Sequence, residues 1–97
     1  MLVKPNKTIL RARVRAVRPE RDGPGRELDL DVTENRTHKA DEDFLKPQPG
    51  ASLTLYSTES DPLAPGDLIE VEATLLAGPF GERAVTQRVK RLGKPRS

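Results

Sequence analysis

The fold of this chain is decided by residues 9–17, which read ILRARVRAV. Apolar side chains alternate with arginine, so that Leu10, Ala12, Val14 and Ala16 share one face and three arginines share the other. A period of two residues is typical of a β-strand with one buried face. The stretch therefore predicts a strand that presents its arginines to solvent.

A second alternating stretch follows a turn. Residues 18–25 are rich in Pro, Gly and charge, and residues 27–32, ELDLDV, alternate carboxylates with aliphatic side chains. A one-residue slip would expose the whole apolar set, so the register that satisfies both faces is expected. That antiparallel register pairs Leu10 with Val32, Ala12 with Leu30, Val14 with Leu28, Arg11 with Asp31, Arg13 with Asp29 and Arg15 with Glu27.

The last third of the chain predicts a second hairpin. Residues 69–75 alternate after a Pro-Gly-Asp turn, and residues 85–90 alternate after a second break. The expected pairs are Leu75 with Val85, Thr74 with Thr86, Glu72 with Arg88, Val71 with Val89 and Glu70 with Lys90. The implied loop is Pro79-Phe80-Gly81, and Gly81 occupies the position that favours a left-handed backbone.

Between the hairpins, residues 51–57 predict a fifth strand with Leu53 and Leu55 inward and Tyr56 outward. Residues 40–46 can form one or two helical turns that end at Pro47. The strands together predict one apolar core. Its members are Leu10, Val14, Leu28, Leu30, Val32, Leu53, Leu55, Ile69, Val71, Leu75, Val85 and Val89.

Length and composition set the outer limits. The 97 residues predict one domain, 1–97, with the folded part at about 7–92 and a basic tail at 93–97. The chain has no cysteine, which excludes disulfides, thiol nucleophiles and thiolate metal sites. The first residues include no apolar stretch of signal-peptide or membrane-spanning length. We therefore expect a cytoplasmic protein without membrane association.

Five short strands arranged as hairpin, single strand and hairpin close most economically into a barrel without unpaired edges. On strand order, on the long first strand and on residues 63–71, LAPGDLIEV, the chain resembles the OB-fold (oligonucleotide/oligosaccharide-binding) superfamily over about residues 7–92. Residues 58–66 are too short and Pro-rich for the helix that OB-folds usually carry there. The expected fold is an all-β, five-stranded OB-like barrel with one short helix between strands two and three. An SH3-like barrel and a barrel of the translation-factor type are the alternative folds.

The resemblance implies a site for single-stranded DNA or RNA on the outer face of strands two and three and the adjoining loops. The residues that fall there are Tyr56 and Phe80 as stacking platforms, with Arg21, Arg26 and Arg83 as phosphate contacts. The competing interpretation is structural: a tyrosine on a strand exterior, and a phenylalanine that covers the barrel end.

The run Arg11, Arg13 and Arg15 also suggests a nucleic-acid stripe. In an OB-like barrel, however, the first strand lies between the second and the fourth, whose outward side chains are carboxylates. The arginines are therefore expected to form a solvated cross-strand charge ladder.

The sequence predicts no enzyme, metal site or cofactor. His38 lies between cationic neighbours, Asp41, Glu42 and Asp43 lack the spacing of a calcium loop, and residues 23–25 lack the helix and lysine of a phosphate loop. The expected function is a non-enzymatic module that binds single-stranded nucleic acid weakly. The alternative is a protein-interaction or assembly domain that docks through Asp41–Phe44.

Overall fold

The computed structural model describes residues 6–19, 25–58, 62–78 and 81–93. These residues form an all-β fold with one 3₁₀ turn, Ala40–Glu42, where the sequence predicted one or two helical turns. The strands are β1 (Thr8–Pro19), β2 (Arg26–Asn35), β3 (Ser52–Ser57), β4 (Leu68–Gly78) and β5 (Gly81–Gly93).

The five strands close into a barrel in the order β1-β2-β3-β5-β4. β1 pairs antiparallel with β2 on one edge and with β4 on the other, while β3 and β5 are parallel neighbours that meet at Tyr56 and Val85. The predicted five-stranded barrel is confirmed. Its closure leaves the outer faces of β3 and β5 side by side, which positions the candidate site.

The predicted register of the first hairpin is wrong by two residues in its middle and by three residues on either side. The observed partners are Ala12 with Val32, Arg13 with Asp31, Val14 with Leu30 and Val17 with Leu28. A shift of two residues keeps every side chain on its own face, so alternation alone does not distinguish the two registers. Two bulges shift the flanking pairs by one further residue. One adds a residue to β2 between the partners of Arg11 and Ala12, and the other adds a residue to β1 between Val14 and Ala16.

The second hairpin follows the predicted register only in part. Glu70, Val71 and Glu72 lie opposite their predicted partners, but a bulge after Glu72 shifts every later pair by one residue. Leu75 therefore lies opposite Ala84, and Val85 lies opposite Thr74, away from the core.

The turn of this hairpin is also shorter than predicted. Gly78 pairs with Gly81, so two residues, 79 and 80, connect the strands instead of three. The predicted left-handed backbone at Gly81 is confirmed, since its φ is +119°.

The barrel interior contains most of the predicted core. Leu10, Leu28, Leu30, Leu55 and other aliphatic side chains are fully buried. Leu53 and Val89 are partly buried against this cluster, as are residues outside the predicted set such as Val17, Leu45 and Leu63. Two predicted core residues, Leu75 and Val85, are neither fully buried nor part of the cluster. The bulge in β5 moves the inward positions to Ala84 and Thr86, and Leu75 lies beyond the last pair of β1 with β4, Thr8 with Ala73.

A side chain ends the pairing between β1 and β4. The amide of Asn6 accepts a hydrogen bond from the Leu75 backbone N–H at 2.8 Å and donates one to the Leu75 carbonyl at 3.1 Å. This pair of bonds imitates one further strand residue. Beyond Leu75, the described part of the β4–β5 hairpin projects past the end of β1.

One end of the barrel is closed by a buried carboxylate. Asp43, only 8% exposed, accepts hydrogen bonds from Thr8 Oγ1 at 2.9 Å, Asn35 Nδ2 at 2.8 Å and the Lys46 backbone N–H at 2.8 Å. These bonds fasten the segment between β2 and β3 to the first residue of β1.

We predict that Asp43→Ala lowers the free energy of unfolding by about 2 to 3 kcal/mol, because one buried and two partly buried donors lose their acceptor. Asp41→Ala removes an exposed carboxylate from the same 3₁₀ turn and should change stability by less than about 0.5 kcal/mol. Urea unfolding of both variants measures the difference. Equal stabilities would contradict a structural role for Asp43.

Candidate nucleic-acid interface

Tyr56 and Arg83 come together on the outer surface where β3 and β5 meet. Tyr56 pairs with Val85, and Arg83 precedes Val85 by two positions, so all three side chains lie on the same face. The guanidinium carbon of Arg83 lies 3.9 Å from the centroid of the Tyr56 ring. This is a cation–π contact that joins two of the five predicted binding residues.

Leu76 adds an apolar side chain beside this pair. It lies opposite Arg83 in the β4–β5 ladder, and it is 47% exposed. The sequence interpretation did not include it. The available signal was the Leu75-Leu76 doublet, because two adjacent residues of a strand point to opposite faces and one of these leucines has to face outward.

The outer face of β2 and β3 carries a network of hydrogen-bonded ions. Arg18 contacts Asp29 at 2.8 Å and Glu27 at 3.1 Å, and Thr54 Oγ1 donates to Asp29 at 2.8 Å. Arg15 forms an ion pair with Asp31, to which the hydroxyl of Ser52 also donates. The carboxylates at the centre of this face are therefore neutralised by arginines of β1.

These contacts change the acidity of both aspartates. The hydrogen bond from Arg18, followed by that from Thr54, lowers the pKa of Asp29 below its ordinary value. The hydrogen bond from Arg15 does the same for the pKa of Asp31, against an opposing contribution from desolvation. The side chain of Asp31 is about half exposed and that of Asp29 is 23% exposed, so solvent screens both ion pairs, that of Asp31 more strongly.

The predicted charge ladder is confirmed in part, with different partners. Arg11 binds Glu70 at 3.0 Å, and Arg15 binds Asp31 instead of Glu27. Arg13 donates to the Gly66 carbonyl at 2.7 Å instead of facing Asp29. Arg18, which the sequence placed in a turn, supplies the contacts to β2 because β1 extends to Pro19.

Arg26 does not join the outer surface. It is the first residue of β2 and lies two positions before the buried Leu28, so it belongs to the inner face. Its Nε and Nη2 atoms are buried, and neither has a hydrogen-bond partner. The sequence placed Arg26 beside the binding loop because a residue next to a turn carries no periodic signal of its own.

The two other predicted site residues, Arg21 and Phe80, lie outside the described residues. Of the remaining three, the structure brings Tyr56 and Arg83 together and separates Arg26 from them by the thickness of the barrel wall.

Within residues 6–19, 25–58, 62–78 and 81–93, no group of three His, Asp or Glu side chains is arranged to hold a metal ion. The same residues include no helix that is long and apolar enough to cross a membrane. His38 lines an open depression of about 380 Å³ with Lys7, Lys39 and Glu42 among its neighbours. Asn6 and Ile9 also line it, so most of these residues are polar, whereas a small-molecule pocket is lined predominantly by apolar side chains.

Comparison with known proteins gives no match: no protein-family model, curated protein or solved structure resembles the chain significantly. The assignment of a function therefore depends on the residues themselves.

We predict that the charge network makes stability depend on pH in the acid range. Because the folded pKa values of Asp29 and Asp31 are lowered, their stabilisation is complete above the unfolded value near 3.9 and is lost as pH falls through the folded values. The melting temperature should fall between about pH 5 and pH 2. Circular dichroism melts across this range measure the effect.

The double variant Asp29→Asn/Asp31→Asn should melt below the wild type at pH 7 and lose less stability on acidification. Asp41→Asn, at an exposed carboxylate outside the network, is the matched control. A double variant with the wild-type acid dependence would show that other groups cause it.

Proposed function

We propose that this chain is a non-enzymatic binding module that binds single-stranded nucleic acid weakly through the outer surface where β3 and β5 meet. The observation that carries the proposal is the stacked pair of Tyr56 and Arg83 on that surface. The strand order and the parallel neighbours β3 and β5 are compatible with an OB-like barrel, a fold that binds oligonucleotides on this side.

The stacked pair suits an unpaired base in two ways. A guanidinium is planar and can stack on a base, so a base can join the stacked pair. Alternatively, the base replaces the guanidinium on the tyrosine ring, and Arg83 then reaches a phosphate. The exposed side chain of Leu76 can contact the base or sugar in either arrangement.

The charges favour weak binding. Arg15 and Arg18 are engaged by carboxylates of β2, so binding a phosphate there would require breaking ion pairs. For single strands the logarithm of affinity falls with the logarithm of salt concentration by about 0.7 for each phosphate neutralised. Three or four contacts therefore imply a slope of about −2 to −3.

The alternative function, a protein-interaction domain that docks through Asp41–Phe44, has less support. Asp43 is 8% exposed and its carboxylate is fully used in holding Thr8 and Asn35. An acidic docking surface there would consist of Asp41 and Glu42 alone.

We predict that Tyr56→Ala weakens binding of a fluorescent single-stranded oligonucleotide at low salt by about tenfold, because stacking contributes about 1 to 3 kcal/mol per base. Tyr56→Phe keeps the ring and should bind within about twofold of the wild type. Phe80→Ala should weaken binding in the same direction, without unfolding the barrel. Fluorescence anisotropy at two salt concentrations gives the affinities and the salt slope.

The matched charge control is Arg13→Ala, which removes an exposed arginine of β1, two strands away from the Tyr56–Arg83 pair. This variant should leave affinity nearly unchanged, whereas Arg83→Ala should weaken it. No binding of the wild type at low salt would refute the proposal. Loss of binding in Arg13→Ala but not in Arg83→Ala would place the interface on β1 instead.

A further inference from the structure

Arg26 has an arrangement that the proposed nucleic-acid surface does not use. The residue as a whole is half-buried, yet its Nε and Nη2 atoms are shielded from solvent and have no hydrogen-bond partner. Arginine cannot release its proton in a protein, so the positive charge remains. Among the arginines of the described residues, Arg11, Arg15 and Arg18 each have a carboxylate within hydrogen-bond distance.

Two hydroxyl side chains lie beside Arg26 on neighbouring strands. Arg26 pairs with Ser57 in β3, and the residue before Ser57, Tyr56, is the partner of Val85 in β5. The next position in β5 is Thr86, and because the two strands are parallel, Thr86 lies next to Ser57 on the neighbouring strand. Arg26, Ser57 and Thr86 thus form a row on three adjacent strands.

The row faces the barrel interior. Ser57 is 3% exposed, and Thr86 lies opposite the fully buried Ala73. The Thr86 hydroxyl is also buried without a hydrogen-bond partner. Neighbouring strands are about 5 Å apart, so a long arginine side chain from β2 extends toward the position of Thr86 on β5.

Guanidinium nitrogens that are shielded from solvent without a partner are costly, because they lose their hydration and gain no hydrogen bond in return. A bound anion removes this cost and can accept hydrogen bonds from both unused guanidinium nitrogens and from a hydroxyl. We propose that Arg26 and Thr86 form a binding site for a compact oxyanion, a phosphate group, at the rim of the barrel.

The geometry selects the shape of this ligand. Arg26 begins its strand, so the proposed site lies at the end of the barrel where β2 starts, while the stacked pair lies on the outer face. The tetrahedral oxygens of phosphate match a guanidinium fork bidentately. A terminal or free phosphate suits this position, whereas a phosphate within a strand held on the outer face lies on the other side of the sheet. The site stands independently of the proposed nucleic-acid binding.

The test is thermal unfolding of the full chain in a phosphate-free buffer and with added inorganic phosphate, at equal ionic strength set by sodium chloride. At a phosphate concentration of ten times Kd, the wild type should gain about 5 to 10 °C in melting temperature. Arg26→Met should show no such gain. In phosphate-free buffer it should melt at or above the wild-type temperature, because it removes an uncompensated buried charge.

Two further variants make the result specific. Thr86→Val keeps the shape of the side chain and should reduce the phosphate affinity several-fold, whereas Arg36→Met, at an exposed arginine, should respond to phosphate like the wild type. No phosphate-dependent gain in the wild type, or an equal loss of the gain in Arg36→Met, would overturn the proposal.

The variant Arg26→Met also distinguishes an internal counter-ion. Segments 20–24 and 59–61, outside the described residues, contain carboxylates. If one of them neutralises Arg26, Arg26→Met melts below the wild type in phosphate-free buffer and the proposal is overturned.

The source of the phosphate is resolved by a separate comparison. If the ligand is a strand end, a 5′-phosphorylated oligonucleotide should stabilise the wild type more than its 5′-hydroxyl counterpart, and Arg26→Met should abolish the difference. If the ligand is a free phosphate, inorganic phosphate alone gives the full effect. The failure of nucleic-acid binding at Tyr56 would leave the inorganic phosphate result unaffected.

Discussion

The barrel depends on β1 being hydrogen-bonded along both of its edges. Residues 8–13 of β1 pair with β4 and residues 10–19 pair with β2, so this one strand closes the sheet. The double pairing puts the outward side chains of β1 between two rows of carboxylates. Arginine satisfies this position because its long side chain reaches acceptors on either neighbour, as Arg11 does with Glu70 and Arg18 with Asp29. The charge pattern and the topology are therefore parts of one constraint.

Much of the fold could be predicted because the strands alternate strictly. Residues such as Leu10 and Val14 in β1, or Leu28 and Leu30 in β2, are buried as their period requires. The strand partners were harder to predict. A two-residue shift preserves both faces, and a bulge costs little at a site such as Gln87 where the skipped residue is exposed.

The candidate site was predictable only where strand period decided the direction of a side chain. Tyr56 follows the inward Leu55, so its outward position could be inferred from alternation. Its contact with Arg83 could not, because that contact depends on β3 and β5 becoming neighbours and on the bulge that sets which side chains of β5 face outward. Arg26 precedes the residues that alternate in the sequence, so its inward direction follows only from the finding that β2 begins there.

The bulge at Gln87 also affects how this surface can change during evolution. Between that position and the hairpin tip, one extra residue decides that Arg83 and Val85 lie outside while Ala84 and Thr86 lie inside. Deletion of a single codon at Gln87 would remove the bulge, and plain alternation from Arg88 would then keep Arg83 and Val85 outside and Thr86 inside. The outer surface of this hairpin is therefore protected against the loss of one residue at this point, and Gln87 is a spare position that the gene can lose without exchanging the two faces of the strand.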